Sequence, residues 1–260
     1  MPDLRSTPLW LILVSALFFV AAYFTSRFPD VPGASAGSYV ATFLIALPAF
    51  AALFRYLGAR RAIVSLLTVS LFALAVEMTG VVTGFPYGNF HYGDALGARV
   101  FGIVPYLLPV SYAPLVVGAL AAAYRAGASH PIAWALRSAI LLALIDGVLD
   151  PGATALGFWV WPDGGAYYGV PASNYLGWLL SGALASALLL FTGQWQGRPP
   201  PGLLDSAGIS VAFWTGVAVF EGLALPAALG AALFAFLLLR RPRLAEGASF
   251  GKPASRAGRV

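Results

Sequence analysis

The sequence contains no cysteine and little charge. Only 10% of its 260 residues are Asp, Glu, Lys or Arg, and two are histidine. The absence of cysteine excludes disulfides, thiolate metal sites, iron–sulfur clusters and a cysteine nucleophile. Two histidines are too few for a three-histidine zinc site, although mixed carboxylate ligation stays open. We predict no metal site.

What remains is the composition of a membrane protein. Hydrophobic residues make up 60% of the chain and the mean hydropathy is +0.82, whereas soluble domains are about 45–50% apolar and about 25% charged. The net charge of +5 would indicate a nucleic-acid partner only if the basic residues formed a patch on a soluble fold. They lie between long apolar runs instead. We therefore predict an all-α, polytopic transmembrane helix bundle with no nucleic-acid partner.

Eight apolar segments are candidates for helices that cross a bilayer, which needs about 20 residues for each. The last apolar block is divided in two, because Gly222 and Pro226 would form a tight turn near its middle. The predicted spans are Pro8–Thr25, Ser38–Leu57, Arg61–Gly84, Val100–Tyr124, Pro131–Asp150, Ser173–Gly193, Ser206–Glu221 and Leu225–Leu239.

The distribution of basic residues orients the bundle, because cytoplasmic loops carry an excess of Lys and Arg. With eight spans, 13 of the 15 Lys and Arg residues lie on the side that holds both termini, and only Arg27 and Arg99 lie on the other. Both termini are therefore expected in the cytoplasm. Residues 1–241 are expected to form one transmembrane domain and residues 242–260 a basic, disordered tail.

Four acidic residues lie within or at the ends of predicted spans, all toward the non-cytoplasmic side: Glu77, Asp146, Asp150 and Glu221. A charged side chain costs about 2.5–3.5 kcal/mol at the centre of a membrane helix, so an acid in such a place indicates a function. The alternative is a carboxylate at a helix end that meets headgroup water, which applies to Asp150 before Pro151 and to Glu221 beside the tight turn.

The spacing of the acids places them on defined helix faces. Glu77, Gly80 and Gly84 share one face, where the glycines would let a helix or a flat ligand approach the backbone. Asp146 and Asp150 are four residues apart and also share a face. Two carboxylates at this spacing repel each other when both are ionised, so one of them should hold a proton near neutral pH and serve as a donor.

Two loops on the non-cytoplasmic side, residues 84–94 and 150–171, combine Gly and Pro turns with many aromatic side chains. Trp and Tyr often form a belt at headgroup depth, which explains some of these residues. A belt does not explain why carboxylates, His91 and Asn174 lie at the same end. His91 is either a general base or a surface histidine with one hydrogen bond. Asn174 either caps the sixth helix or orients a water.

The same region resembles the signature of the integral-membrane carotenoid 1′,2′-hydratases, the bisanhydrobacterioruberin hydratase family. The resemblance covers about the middle 100 residues, in which the order and spacing of the motifs agree. Tyr112 stands where a tryptophan is more often expected. The matching motifs are Glu77–Tyr92, Asp146–Pro151, Trp159–Trp161, Tyr168–Pro171 and Asn174–Trp178.

The resemblance implies that the protein adds water across the terminal 1,2 double bond of an acyclic, lycopene-like carotenoid, in a bacterial or archaeal cytoplasmic membrane. Such a hydro-lyase needs a proton donor, a base for the attacking water and no cofactor. Asp146 or Glu77 is the expected acid, with Asp150 and Asn174 positioning water and His91 as a further catalytic candidate.

Aromatic faces would stabilise the intermediate cation. The expected substrate-binding residues are Gly80, Gly84, Tyr87, Tyr92, Trp159, Trp161, Tyr168 and Trp178. The expected partners are the carotenoid, water, the lipid bilayer and other enzymes of carotenoid biosynthesis.

Three other functions fit parts of the pattern. The small membrane lycopene cyclases also protonate a carotenoid end, but an adjacent pair of acids is expected there, whereas Glu77 is flanked by Val76 and Met78. A proton-coupled transporter would use Glu77, Asp146 and Glu221 as a relay and would spread its acids through the depth of the membrane. A non-catalytic carotenoid-binding protein would hold the pigment unchanged.

Overall fold

The computed structural model describes residues 7–29, 33–126 and 130–245. Within these ranges the chain forms eight α-helices, and seven of them are long and apolar enough to cross a membrane. The expected all-α transmembrane bundle is confirmed. The helices are α1 (Leu9–Arg27), α2 (Ala34–Leu57), α3 (Ala59–Thr83), α4 (Leu108–Ala122), α5 (Pro131–Ala155), α6 (Ala172–Gly193), α7 (Asp205–Phe220) and α8 (Ala224–Ala245).

The outer faces of the helices are apolar, as a lipid environment requires. Large hydrophobic side chains are exposed there, among them Leu13, Phe43 and Leu71, which a soluble protein would bury. The last helix extends to Ala245, beyond the predicted limit of Leu239. The remainder of the predicted tail, residues 246–260, lies outside the described residues.

Four two-residue strands join the loops at one end of the bundle. They are β1 (His91–Tyr92), β2 (Arg99–Val100), β3 (Val104–Pro105) and β4 (Trp159–Val160). Strand β1, from the segment after α3, pairs antiparallel with β4, from the segment after α5. The two aromatic-rich segments predicted as loops, 84–94 and 150–171, therefore meet at the same end, as their sequences predict.

The fourth helix differs from its prediction. The apolar segment Val100–Tyr124 is predicted as one span, but its first residues form the hairpin of β2 and β3, and α4 begins only at Leu108. Its 15 residues span about 22 Å, less than the hydrocarbon layer of about 30 Å. All residues from Tyr112 to Ala122 are buried, so α4 lies in the interior of the bundle.

Side chains from other helices cap the C-terminal end of α4. Arg137 Nε of α5 donates to the carbonyl oxygen of Ala123 at 3.2 Å, and Arg240 Nε of α8 donates to that of Ala122 at 2.8 Å. The last carbonyls of a helix lack partners within the helix and attract cations. These contacts allow a short helix to end inside the protein.

The fifth helix is longer than its prediction. It continues through Pro151 and ends at Ala155 rather than at Asp150. A proline has no N–H to donate to the carbonyl four residues earlier, here that of Gly147. This carbonyl oxygen instead accepts a 3.2 Å hydrogen bond from the hydroxyl of Tyr167. Asp150 therefore lies within a helix, and the interpretation as a helix end in headgroup water is wrong.

Candidate active site

The centre of the site is a pair of acids bridged by an amide. Asp146 and Asp150 lie one turn apart on α5 and are 1% and 3% exposed. Asn174 lies in the first turn of α6, and its Nδ2 donates to Oδ2 of Asp146 at 2.9 Å and also to Oδ2 of Asp150. The cap of α6 is Pro171, with no side-chain hydrogen bond. The interpretation of Asn174 as a helix cap is therefore wrong.

Glu77 of α3 supplies a third buried acid. Its side chain is 6% exposed, and its Oε2 accepts a 2.7 Å hydrogen bond from the hydroxyl of Tyr92. Glu77 also interacts electrostatically with Asp146 and Asp150, so acids from α3 and α5 face a common interior region. Within the described ranges no three His, Asp or Glu side chains are grouped so as to hold a metal ion.

Tyr92 is held as a hydrogen-bond donor by the pairing of the two loops. It lies on β1 directly opposite Trp159 of β4, and the two ring centroids are 6.1 Å apart. Burial raises the pKa of the Tyr92 hydroxyl well above its ordinary value, and the charge of Glu77 raises it further. The hydroxyl therefore keeps its proton at neutral pH and remains available to Glu77.

A connected series of aromatic rings adjoins the three acids. Successive ring centroids lie between 5.6 and 6.5 Å apart, and each pair is edge-to-face or tilted. Such rings present electron-rich faces that attract cations. The rings are those of Tyr87, Phe90, Tyr92, Tyr112, Trp159, Trp161 and Trp178.

Two glycines make room for the ring of Tyr87 between α3 and α6. A Cβ atom at Gly80 would lie 2.8 Å from Tyr87 Cδ2, and one at Gly177 would lie 2.5 Å from Cδ1. The carbonyl oxygen of Tyr87 accepts hydrogen bonds from Trp161 Nε1 at 3.3 Å and from Ser173 Oγ at 3.4 Å. The face of α3 that carries Gly80 is therefore occupied by the ring of Tyr87, a residue of the protein itself.

Three predicted site residues lie apart from this arrangement. Gly84 ends α3 with a φ of 76°, a conformation that favours glycine. His91 is exposed on β1, because neighbouring side chains of a strand point to opposite faces and Tyr92 points inward; this is the surface alternative for His91. The hydroxyl of Tyr168 accepts a hydrogen bond from the backbone N–H of Leu225 at 3.3 Å, at the start of α8.

Several polar groups around the acids do not appear among the predicted site residues. Ser181 of α6 and Tyr112 of α4 are both buried. Asn174, Trp178 and Ser181 are spaced four and three residues apart, so they share one face of α6. That spacing is the signal in the sequence that would have included Ser181. Tyr167 was also missed, because its role depends on the carbonyl that Pro151 leaves without a partner.

Asp205 is another buried acid, absent from the residues that the sequence predicts, and it is paired with an arginine. It begins α7, and the guanidinium of Arg241 on α8 donates two hydrogen bonds to its carboxylate, from Nε to Oδ1 at 2.8 Å and from Nη2 to Oδ2 at 3.3 Å. Glu221 ends the same helix and is only half-buried. The buried acids of the described chain thus form one unpaired cluster and one ion pair, an arrangement unlike the proton relay of Glu77, Asp146 and Glu221.

Comparison with known proteins identifies the family. A family model described as "Carotenoid biosynthesis protein" matches residues 36–237. The chain belongs to this carotenoid biosynthesis family. It is also 39% identical over 205 residues to a bisanhydrobacterioruberin hydratase of Haloarcula japonica, in an alignment that covers 76% of this chain and 69% of that protein. No solved structure matches the chain.

Membership of the carotenoid biosynthesis family confirms the resemblance drawn from the motifs. The matched range begins within α2 and ends within α8. It therefore contains α3, α5 and α6 and both aromatic loops, so every group of the bridged acid cluster lies in the part of the chain that the family model covers.

Proposed function

We propose that this protein is a cofactor-independent hydro-lyase that adds water across the terminal 1,2 double bond of an acyclic carotenoid, in a bacterial or archaeal cytoplasmic membrane. The family and the hydratase relative support the class of substrate and the reaction. One observation carries the proposal: the Asn174-bridged pair of Asp146 and Asp150 is buried beside Glu77 and a wall of aromatic rings.

In this proposal Asp146 is the proton donor. Asn174 holds its Oδ2, whereas its Oδ1 has no hydrogen-bond partner among the described residues and is the oxygen from which a proton can leave. Two buried carboxyl groups bridged by one amide favour the state in which they share a single negative charge. The alkene π electrons take the proton at the less substituted carbon, a C–H bond forms, and a tertiary cation remains.

The surroundings stabilise this cation until water attacks. The faces of Tyr87 and Trp178, whose centroids are 6.5 Å apart, and the negative charge left on the acid pair are both attractive to it. A hydrocarbon substrate needs no polar anchor, so apolar and aromatic surface is sufficient for binding. The acids lie in the half of the bundle nearer the two aromatic loops, so water would enter from that face of the membrane.

Glu77 is the base that completes the reaction. Its Oε2 is held as an acceptor by the Tyr92 hydroxyl, and it takes the proton that the attacking water releases as the C–O bond forms. Return of that proton to Asp146 restores the starting state. One water is consumed for each double bond, and the product is a tertiary alcohol.

The proposal includes an orientation in the membrane. With 13 of 15 basic residues on the side of the termini, both termini lie in the cytoplasm. The ends of α3 and α5 and the start of α6, which carry the acids and Asn174, then lie toward the opposite face. Other enzymes of carotenoid biosynthesis are the expected suppliers of the acyclic substrate.

Expression in a lycopene-producing bacterial host, followed by mass analysis of the pigments, tests the function. We expect new pigments heavier than the substrate by one or two waters, and none with D146N at an equal protein level. A cyclase would give a product of unchanged mass and shifted absorption. A carotenoid-binding protein would retain unaltered pigment through purification. Either result, or an unaltered pigment profile with membrane-inserted wild-type protein, would refute the proposal.

A further inference from the structure

Four polar atoms in and around the acid cluster, all on almost completely buried residues, have no hydrogen-bond partner among the described residues. They are the hydroxyl oxygens of Tyr87, Tyr112 and Ser181 and Oδ1 of Asp146, on residues that are at most 2% exposed. A buried polar group left without a partner costs about 1–3 kcal/mol, and nearly all such groups in folded proteins are satisfied by protein or by ordered water. Four of them in one region indicate that a ligand completes their hydrogen bonds.

These four atoms come from four different parts of the fold: the loop after α3 and helices α4, α5 and α6. Ser181 of α6 lies close to the hydroxyls of both Tyr87 and Tyr112, but none of the three hydroxyls meets the distance and angle of a hydrogen bond within the described residues. Asp146 of α5 interacts electrostatically with the same two tyrosines. Both tyrosine rings pack against Trp178, with centroid distances of 6.5 and 5.6 Å. The three hydroxyls therefore lie in the same buried region as the proposed proton donor.

The chemistry of these groups selects a small ligand. Each hydroxyl both donates and accepts, and Asp146 Oδ1 donates while it carries the proton and accepts after the proton has moved to the alkene. A carotenoid end is a hydrocarbon and satisfies none of them. A buried water makes about three hydrogen bonds to groups of this kind, so water is the ligand that matches the set.

We propose that Tyr112 and Ser181, together with Tyr87 and Asp146, bind the water molecule that is added to the carotenoid. This inference rests on the proposed hydratase function and goes further, because it assigns the second substrate a site. Water held there attacks the tertiary carbon as soon as the cation forms. Without bound water, the cation loses a proton from a neighbouring carbon, and the alkene is regenerated or its double bond is moved.

Reaction in heavy water separates capture of the cation from its formation. The proteins to compare are wild type, Y112F, S181A, the double variant Y112F/S181A and D146N, each purified and given an acyclic carotenoid. The double variant should form the alcohol at a rate at least about tenfold lower than that of the wild type. The carotenoid recovered from the same reaction should still gain deuterium at its terminal carbons. D146N should give neither alcohol nor deuterium. The double variant Y106F/S15A removes the same two kinds of hydroxyl from an exposed residue of the loop before α4 and from α1, and should behave as wild type.

Two outcomes would overturn the water site while leaving the hydratase function intact. One is alcohol formation by Y112F/S181A at the same rate as by the wild type. The other is a parallel loss of alcohol and deuterium exchange in this variant, which would mean that the hydroxyls support proton donation or folding rather than water capture. A wild-type protein that neither hydrates nor exchanges would refute the proposed function itself, and the water site with it.

Discussion

The hydroxyl of Tyr92 donates a 2.7 Å hydrogen bond to Oε2 of Glu77. A residue of a loop strand thereby fixes an acid near the end of a membrane helix. Tyr92 is itself held by the pairing of β1 with β4, which joins the loop after α3 to the loop after α5. The position of Glu77 therefore depends on a contact between two loops that are distant in the sequence.

Replacing Tyr92 by phenylalanine tests this relationship. Y92F keeps the ring that packs between Phe90 and Trp159 but removes the donor to Glu77. We expect kcat for alcohol formation to fall about tenfold, which corresponds to one hydrogen bond to a charged group. The KM for the carotenoid should be unchanged, because the apolar contacts remain. A fall in kcat/KM that arises only from KM would instead assign Tyr92 to substrate binding.

The pH profile gives an independent check on Tyr92. Burial and the charge of Glu77 raise the pKa of its hydroxyl well above the usual value, so the donor form persists as the pH rises. Wild-type activity should therefore show no loss from ionisation of this tyrosine up to about pH 10. An alkaline loss of activity that is present in the wild type and absent in Y92F would contradict the assignment.

Asn174 should be required for hydration. N174L has a similar volume but removes both hydrogen bonds donated to the acid pair. Two such bonds to carboxyl groups correspond to about 3–6 kcal/mol, so alcohol formation should fall by at least about a hundredfold. S173A is the matched control, because the neighbouring Ser173 bonds only the backbone of Tyr87, at 3.4 Å, and its loss should matter far less. Equal activities of N174L and S173A would show that the bridge is dispensable.

The close approach of Tyr87 to α6 predicts opposite results for two glycines. A Cβ at Gly177 would lie 2.5 Å from Tyr87 Cδ1 and 2.9 Å from the carbonyl oxygen of Pro86, so G177A should displace Tyr87 and reduce both thermal stability and hydration. Gly208 on α7 has no atom within 4 Å of its Cβ position. G208A should therefore be neutral, or stabilising by up to about 1 kcal/mol. Thermal unfolding in detergent compares the two, and a G177A protein as stable and active as G208A would be inconsistent with this packing.

A double-mutant cycle tests why α5 continues past Pro151. The Tyr167 hydroxyl bonds the Gly147 carbonyl that a proline leaves free. Y167F should lower the free energy of unfolding by about 1 kcal/mol in the wild type. In a P151A background, the N–H of the alanine can donate to this carbonyl. Y167F should then lower the free energy of unfolding by clearly less. Additive effects of the two substitutions would show that the bonds are independent.

The sequence predicts the burial of Glu77 and Asp146 because the physics of an acid within an apolar helix is local. A carboxylate in an apolar helix must face the interior or water, and a spacing of four residues puts Asp146 and Asp150 on the same face wherever that helix lies. Asn174 is predicted from its position directly after the second aromatic loop. Whether its side chain caps α6 or bridges the acids depends on which helix packs against α6, and only the structure shows this.

Other features depend on contacts that composition does not encode. Val100–Tyr124 is as apolar as a full span, so only the pairing of β2 with β3 reveals that its helix begins at Leu108. Proline normally marks a helix end, but at Pro151 a hydroxyl from a distant loop replaces the missing bond. The outward position of His91 follows from the register of β1 with β4, which fixes Tyr92, and not its neighbour, as the inward residue.

The central claim is that the buried acid cluster adds water to the carotenoid. The most direct measurement is incorporation of oxygen from heavy-oxygen water into the pigment by purified protein, followed by mass spectrometry. Wild-type protein should introduce one labelled oxygen per hydrated end, and E77Q, D146N and D150N should each introduce far less while remaining folded and membrane-inserted. Undiminished incorporation by all three variants would contradict the account.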